Sequence, residues 1–373
     1  MKKENSLLLT LGAVLLGLLV LPAVAQDIPY PLPDPDANPA NMTKPVQVYI
    51  LMGQSNMLGF GNIAGDSDGT LEYAVNTKNK YPYLVDGTGN WTVRKDVRYA
   101  RVMSSGTGAM TLYNNEWLTI GGGGNSSKIG TELAIGHYLG YATDAPVLIV
   151  KSCIGNRALG WDLLPPGSPE YTHGEYTYPG YGGSPERWET GTDPVPIGWY
   201  AGMQYDGDVR NAKTVLANLG DYYPGATEYE VAGFFWWQGD RDRYMDGHAA
   251  YYEQNLVQLI EQLRIEFDAP DAKFVCATLG QTTMETTGNE ALILDAQLAI
   301  SDADKYPQFE GDVATVYSNP LSMGGASDGH YSGNAETYMN VGEAMGEAMV
   351  TIPEPLSLTL LGLGGLMLLR RRK

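Results

Sequence analysis

Three distant points of the chain carry side chains that together could perform acyl transfer. Ser55 lies in Gly53-Gln54-Ser55-Asn56-Met57, Gln238 in the stretch V-A-G-F-F-W-W-Q-G-D-R-D from Val231 to Asp242, and His330 in Ser327-Asp328-Gly329-His330-Tyr331. Such chemistry needs a hydroxyl made nucleophilic by a base of near-neutral pKa, together with hydrogen-bond donors aimed at the oxygen that gains charge. A serine that follows a strand reads, on its own, as a helix N-cap. The second and third segments lift Ser55 out of that reading, by supplying an amide and a histidine with an adjoining carboxylate.

The elements that must position these groups are legible as apolar runs. Val46 to Met52 (V-Q-V-Y-I-L-M) stops abruptly at Gly53, and Val231 to Trp237 stops at Gln238. Buried strands that end this way deliver polar side chains to the carboxyl edge of a sheet, where open α/β folds hold ligands. Further strands are expected at Val147 to Cys153, Lys273 to Leu279 and Asp312 to Tyr317. Helical spacing falls at Thr131 to Thr143, Val209 to Leu219, His248 to Phe267, Glu290 to Asp302 and Ala335 to Met349. Strands alternating with helices predict a mainly parallel five-stranded sheet covered on both faces. Between Gly59 and Asn125 the pattern is that of long loops bearing a hairpin, with a strand-like Val97 to Met103.

The G-Q-S-N-M, W-W-Q-G-D and late D-G-H blocks together resemble the carbohydrate-esterase branch of the SGNH hydrolase superfamily, which includes sialate O-acetylesterases and acetylxylan esterases. The resemblance spans about Gln47 to Met349. It implies a flavodoxin-like three-layer sandwich with Ser55 as nucleophile, His330 as base, and an oxyanion site made of the Ser55 and Gly155 N–H groups and Gln238. The family commonly has an aspartate three positions before the histidine. Here that place is Ser327, and Asp328 stands two before. Asp328 is the first candidate for the orienting acid, with Asp240, Asp242 or a Ser-His dyad as alternatives. Asn156 stands where the family often has a second glycine. Gln54, Asn56, Asn156, Trp161, Trp237 and Asp240, beside these groups in sequence, are the candidate substrate contacts.

Within that reading, elimination among four histidines also selects His330. His137 falls on an amphipathic helix, His173 in an irregular aromatic region and His248 at a helix start, whereas His330 occupies a loop between the last strand and the last helix. Gly130, in K-I-G-T-E-L, is read as leading into a helix capped near Thr131. No histidine, cysteine and carboxylate spacing of a kind that holds zinc or calcium is present, and no cofactor is expected.

The ends of the 373 residues read differently. Lys2 and Lys3, the apolar stretch Leu7 to Leu21 and Ala23-Val24-Ala25 form a secretory leader over 1–25, followed by a proline-rich lead-in over 26–45. Pro353-Glu354-Pro355, an apolar segment to Leu369 and Arg370-Arg371-Arg372-Lys373 resemble a PEP-CTERM sorting signal over 353–373. Together these predict an exported protein of a Gram-negative-type bacterium, destined for the periplasm, cell surface or extracellular matrix. Its partners would be export and sorting machinery and, transiently, the membrane. The esterase domain is expected over 46–350, an extent that suits one large α/β domain.

A net charge of −19 excludes nucleic acid and polyanions as natural partners and favours a neutral substrate. Cys153 and Cys276 lie in strands expected about three spacings, or ~14 Å, apart, so two free buried thiols are predicted despite export. The insertion 156–205 is rich in Gly, Pro and aromatics, among them Trp161, Tyr171, Tyr178, Trp188 and Trp199. Those rings would either stack on sugars or pack on one another as a cover. The resulting expectation is a carbohydrate O-acetylesterase acting on an acetylated glycan. The alternatives are a cell-surface carbohydrate-binding protein of the same fold without turnover, and a hydrolase of non-sugar esters.

Overall fold

A computed structural model of the chain describes Leu32 and residues 39–352. The leader, most of the lead-in and the C-terminal sorting segment lie outside the described residues. The strands in chain order are β1 (Val46–Gly53), β2 (Gly61–Asn62), β3 (Val97–Met103), β4 (Thr111–Trp117), β5 (Lys128–Ile129), β6 (Val147–Ser152), β7 (Tyr171–His173), β8 (Tyr176–Tyr178), β9 (Trp188–Glu189), β10 (Tyr229–Trp237), β11 (Lys273–Ala277) and β12 (Val313–Val316). The α-helices are α1 (Ser55–Leu58), α2 (Leu71–Asn76), α3 (Glu132–Ala142), α4 (Met203–Ala217), α5 (Leu219–Tyr222), α6 (Asp246–Ala250), α7 (Tyr252–Glu266), α8 (Asn289–Ala299) and α9 (Ala335–Thr351).

The central sheet runs β12-β11-β10-β1-β6-β3-β4 and is parallel throughout except for β4, which pairs antiparallel with β3. The five expected strands, numbered in chain order, lie in the flavodoxin-like order 2-1-3-4-5, but the sheet has seven strands rather than five. As half of the expected hairpin with β4, the strand-like Val97–Met103 belongs to the central sheet. It pairs along its length with β6 and brings β4 to the edge.

Side chains alternate between the two faces of each central strand, as a pleat requires. Leu51, Ile149, Phe235 and Trp237 pack with α3 and α9, while Val48, Ile50, Val150, Phe234 and Trp236 pack with α4, α7 and α8. With both faces covered, these strands read in the sequence as continuous apolar runs rather than alternating ones. Cys153 and Cys276 are buried and free, and burial pushes the Cys153 thiol up to about 12.

The insertion 156–205 builds the small sheet β7-β8-β9. Its aromatics mostly pack on one another and on the domain. Tyr171 stacks on Tyr251 at 3.7 Å and on Tyr178 at 5.0 Å, and the Tyr181 and Tyr200 hydroxyls each donate to the Asp206 carboxylate at 2.7 Å. For these rings the self-packing cover is the arrangement found.

Candidate active site

β1 ends in a turn with no spare room. Gly53 has φ 142°, and a Cβ there would lie 2.5 Å from the Trp237 carbonyl oxygen. Ser55 then opens the short α1 at the carboxyl edge of the sheet, 7% exposed. Gly155, in the loop after β6, lies against it, since a methyl group at Gly155 would sit 3.4 Å from the Ser55 Cβ. Among the described residues, no acceptor takes the backbone N–H of Ser55 or of Gly155. Two donors that are free beside a serine hydroxyl form the minimum of an oxyanion site.

Gln238 is placed differently from expectation. Its Nε2 donates to the Arg157 carbonyl at 2.8 Å, to Gln54 Oε1 at 3.1 Å and to Asp242, while its Oε1 accepts the Tyr252 hydroxyl at 2.8 Å. An amide has two N–H donors, and both are engaged inside the protein. The side chain is therefore a hub joining the three loops that follow β1, β6 and β10, not a spare oxyanion donor. Asp242 completes the hub by accepting the N–H groups of Leu159 and Gly160 at 2.9 and 2.8 Å, and burial raises its carboxyl to about 6.

His330 sits in the turn Ser327–Gly333, whose backbone approaches that of α1 to within 8 Å. His330, Tyr331 and Ser332 all have left-handed φ, at 51°, 53° and 54°. Tyr331 anchors the turn: its ring stacks on Trp237 at 5.7 Å and its hydroxyl accepts the Gly280 N–H at 3.1 Å. The imidazole is half-buried and stacks on Phe60 at 4.2 Å. Burial lowers its pKa, opposed by the charges of Asp240 and then Asp328. His137 and His248 are buried, and burial holds both well below the ordinary histidine range.

Several candidate substrate contacts belong to the interior instead. Trp237 is fully buried, with its indole N–H on the Thr278 carbonyl at 2.9 Å, and it supports Tyr331 and so the histidine turn. Trp161 is buried with Ala158, Leu164 and Ala201. Gln54 is buried and accepts from Gln238 and from the Arg241 N–H. Asn56 is fully buried. Asn156 alone of these is exposed, with a left-handed φ of 58° in the loop beside Ser55. Asp240 is 8% exposed, and Asp328 lies on the outer side, its carboxylate 54% exposed.

The sequence reading missed Lys151 and Glu132. Lys151 lies fully buried in β6, pairs with Glu132 and donates to the Leu58 carbonyl at the end of α1 at 3.1 Å. The signal was a lysine inside the apolar run V-L-I-V-K-S-C, since a cation there must find a buried partner. Gly130 leads into α3 with Thr131 at its N-cap position, and Gly59 and Gly130 also pack backbone to backbone, while Thr131 donates its hydroxyl to Met57 Sδ at 3.3 Å instead of capping the helix. Among the described residues, no cluster of histidine, cysteine or carboxylate side chains could hold a metal ion.

No curated protein matches the chain. Among solved structures, it is similar to a protein from Arabidopsis thaliana at 16% identity, over 82% of this chain and 98% of the other, with a TM-score of 0.46. It is also similar to a novel carbohydrate acetylesterase from Xanthomonas citri, at 16% identity over 82% of this chain and 56% of the other, with a TM-score of 0.49. A third similarity is to NanS, at 16% identity over 73% of this chain and 78% of the other, with a TM-score of 0.36. The family described as carbohydrate esterase, sialic acid-specific acetylesterase matches residues 181–351. That stretch contains Gln238, Asp240, Asp328 and His330, and it leaves out Ser55 and Gly155.

Proposed function

We propose that the chain is an exported carbohydrate O-acetylesterase of the SGNH type that removes acetyl groups from a glycan through an acyl-enzyme on Ser55. The observation that carries the proposal is the meeting, at one edge of the sheet, of the Ser55 turn, the Gly155 loop and the His330 turn. The family match over 181–351 supplies independent support for its histidine half.

In this mechanism the Ser55 hydroxyl attacks the acetyl carbonyl carbon while His330 takes its proton. The oxyanion forms against the N–H groups of Ser55 and Gly155. His330 returns the proton to the sugar oxygen as the C–O bond breaks, leaving acetyl on Ser55. Water, deprotonated by His330, then attacks the acetyl group, and His330 hands that proton to the Ser55 oxygen as its bond to the acetyl carbon breaks and acetate leaves. A base must be neutral to act, and the burial that lowers the His330 pKa keeps it neutral at physiological pH. Asn156, exposed beside Ser55, is the proposed contact for the glycan. Export through the leader and sorting through the C-terminal segment complete the proposal.

The test is acetate release by the purified protein from acetylated xylan, from O-acetylated sialic acid and from a chromogenic acetate, with Ser55→Ala alongside. Loss of turnover by about a thousandfold or more with unaltered thermal unfolding is expected. Undiminished turnover in Ser55→Ala would refute the proposal.

A further inference from the structure

The histidine turn faces two carboxylates, and their surroundings differ. Asp328 Oδ1 accepts the Gly329 N–H at 2.8 Å and Oδ2 pairs with Arg243 Nη2 at 3.1 Å, so both oxygens are engaged, on a side chain 54% exposed. Asp240, on the loop after β10, is buried. Its Oδ1 accepts the Ser327 hydroxyl at 2.6 Å and lies 3.0 Å from Arg243 Nε, while Oδ2 takes no hydrogen bond among the described residues. Ser327 is itself fully buried and opens the turn that carries His330.

We propose that Asp240, not Asp328, is the carboxylate that positions and balances His330, and that the Ser327 hydroxyl tethers the histidine turn to it. The proposal rests on the esterase reading for its catalytic meaning, though not for the contact itself. The arrangement is consistent with a position exchange. Where a turn of this kind carries its acid three residues before the histidine, this chain carries a serine, and the carboxylate reaches the same neighbourhood from the adjacent strand. Arg243 spans both acids at 3.0 and 3.1 Å and also pairs with Glu290. Among the described residues, the other contacts of His330 carry no formal charge: the Phe60 ring stacks on it, and Tyr338 from α9 donates its hydroxyl to the His330 carbonyl at 3.5 Å. Asp240 is thus a positioning residue acting through His330, and Asp328 serves mainly to hold Arg243.

The experiment is an NMR titration of the histidine ring protons in the full chain, with the His330 resonance assigned from its loss in His330→Gln. It is run on wild type, Asp240→Asn and Asp328→Asn, with kcat/KM for a chromogenic acetate measured on the same samples. Asp240→Asn is expected to move the His330 titration to lower pH and to cut kcat/KM about a hundredfold or more, with the acid limb of the pH profile shifted in the same direction. Asp328→Asn is expected to move the titration less and to cost under about tenfold. A larger effect in Asp328→Asn, or an unmoved His330 titration in Asp240→Asn, would overturn the proposal. Should Asp240→Asn fail to fold, Ser327→Ala leaves both acids in place and releases only the tether. It is expected to lower kcat/KM about tenfold and move the titration the same way, and an unaltered profile would count against the assignment. If wild type releases no acetate, the titration still reads the Asp240–His330 coupling, so failure of the esterase reading is distinguishable from failure of this one.

Discussion

The turns that present Ser55 and His330 are fixed by opposite means. Around Ser55 the positive backbone angles fall on glycines, Gly53 at 142° and Gly59 at 90°, and neither has room for a side chain. A Cβ on Gly59 would approach the Gly130 Cα to 2.2 Å. Around His330 the positive angles fall on three residues that do carry side chains, where each Cβ crowds the following carbonyl at a cost of about 1–2 kcal/mol. That backbone holds because Tyr331 is locked between Trp237 and Tyr338 and by its bond from Gly280. The Ser55 turn is therefore defined by lack of space over a buried ion pair, and the His330 turn by packing that overrides an unfavourable conformation. The first should fail when atoms are added or the charge beneath it is stripped. The second should relax when atoms are removed.

The largest effect is expected beneath the nucleophile. Lys151→Met leaves Glu132 buried without its cation and frees the Leu58 carbonyl, which should destabilise the fold by about 3–5 kcal/mol. Chemical denaturation measures this, and adding Glu132→Gln should recover most of the loss because the uncompensated charge is gone. A single variant as stable as wild type would show that the ion pair does not hold this turn. Next comes Gly53→Ala, which demands both a strained φ and displacement of the Trp237 carbonyl. A loss of about 2–4 kcal/mol is expected in the same measurement. A loss under about 0.5 kcal/mol would mean that the turn yields easily, and the contrast with His330 would dissolve.

Much of this architecture was legible because of where its residues lie. β1, β6, β10, β11 and β12 are covered on both faces, so each appears as an uninterrupted apolar run, and the order of parallel strands follows from alternation with helices. β3 reads as strand-like within a stretch of loops bearing a hairpin, and its place in the central sheet is hidden by Arg98 and Arg101, which interrupt its apolar pattern. Both are buried, with Arg98 donating to the Tyr222 carbonyl and Arg101 to Asn114, partners invisible in a linear reading. Trp237, a candidate substrate contact, follows Trp236 on a strand covered on both faces, where consecutive residues face opposite layers, and both are interior. Ser55 and His330 stood out because chemistry restricts which residue types can serve. The role of Gln238 and the Ser327–Asp240 contact depend on which acceptors meet them in space, and Ser327 and Asp240 lie 87 positions apart.

The pH dependence probes the base turn alone. In the proposed mechanism His330 acts as a neutral base, and burial lowers its pKa from the ordinary histidine value of 6.5. The acid limb of kcat/KM is thus expected to have its midpoint below 6.5, with full activity at neutral pH. The sign for stability is the same. With its pKa depressed on folding, His330 binds fewer protons folded than unfolded, so its contribution is intact above 6.5 and is lost as pH falls through the interval below. A midpoint above 6.5 would mean that Asp240 and Asp328 outweigh burial at the imidazole.

The smallest effect is the most discriminating, because its sign is opposite to that of Gly53→Ala. Ser332 is exposed, has φ 54°, and its side chain makes no hydrogen bond among the described residues, so Ser332→Gly sacrifices no contact. It removes a left-handed side chain worth about 1–2 kcal/mol of strain and adds about 0.5–1 kcal/mol of chain entropy to the unfolded state. The balance is a stabilisation of about 0.5–1 kcal/mol, visible as a higher denaturation midpoint at unaltered slope. The same change loosens the turn that aims His330, so kcat/KM should fall about two- to fivefold while the pH midpoint stays in place. Stability gained at the expense of turnover is what a strained base turn must show, and a Ser332→Gly variant that loses stability would mean that the backbone at His330 is unstrained.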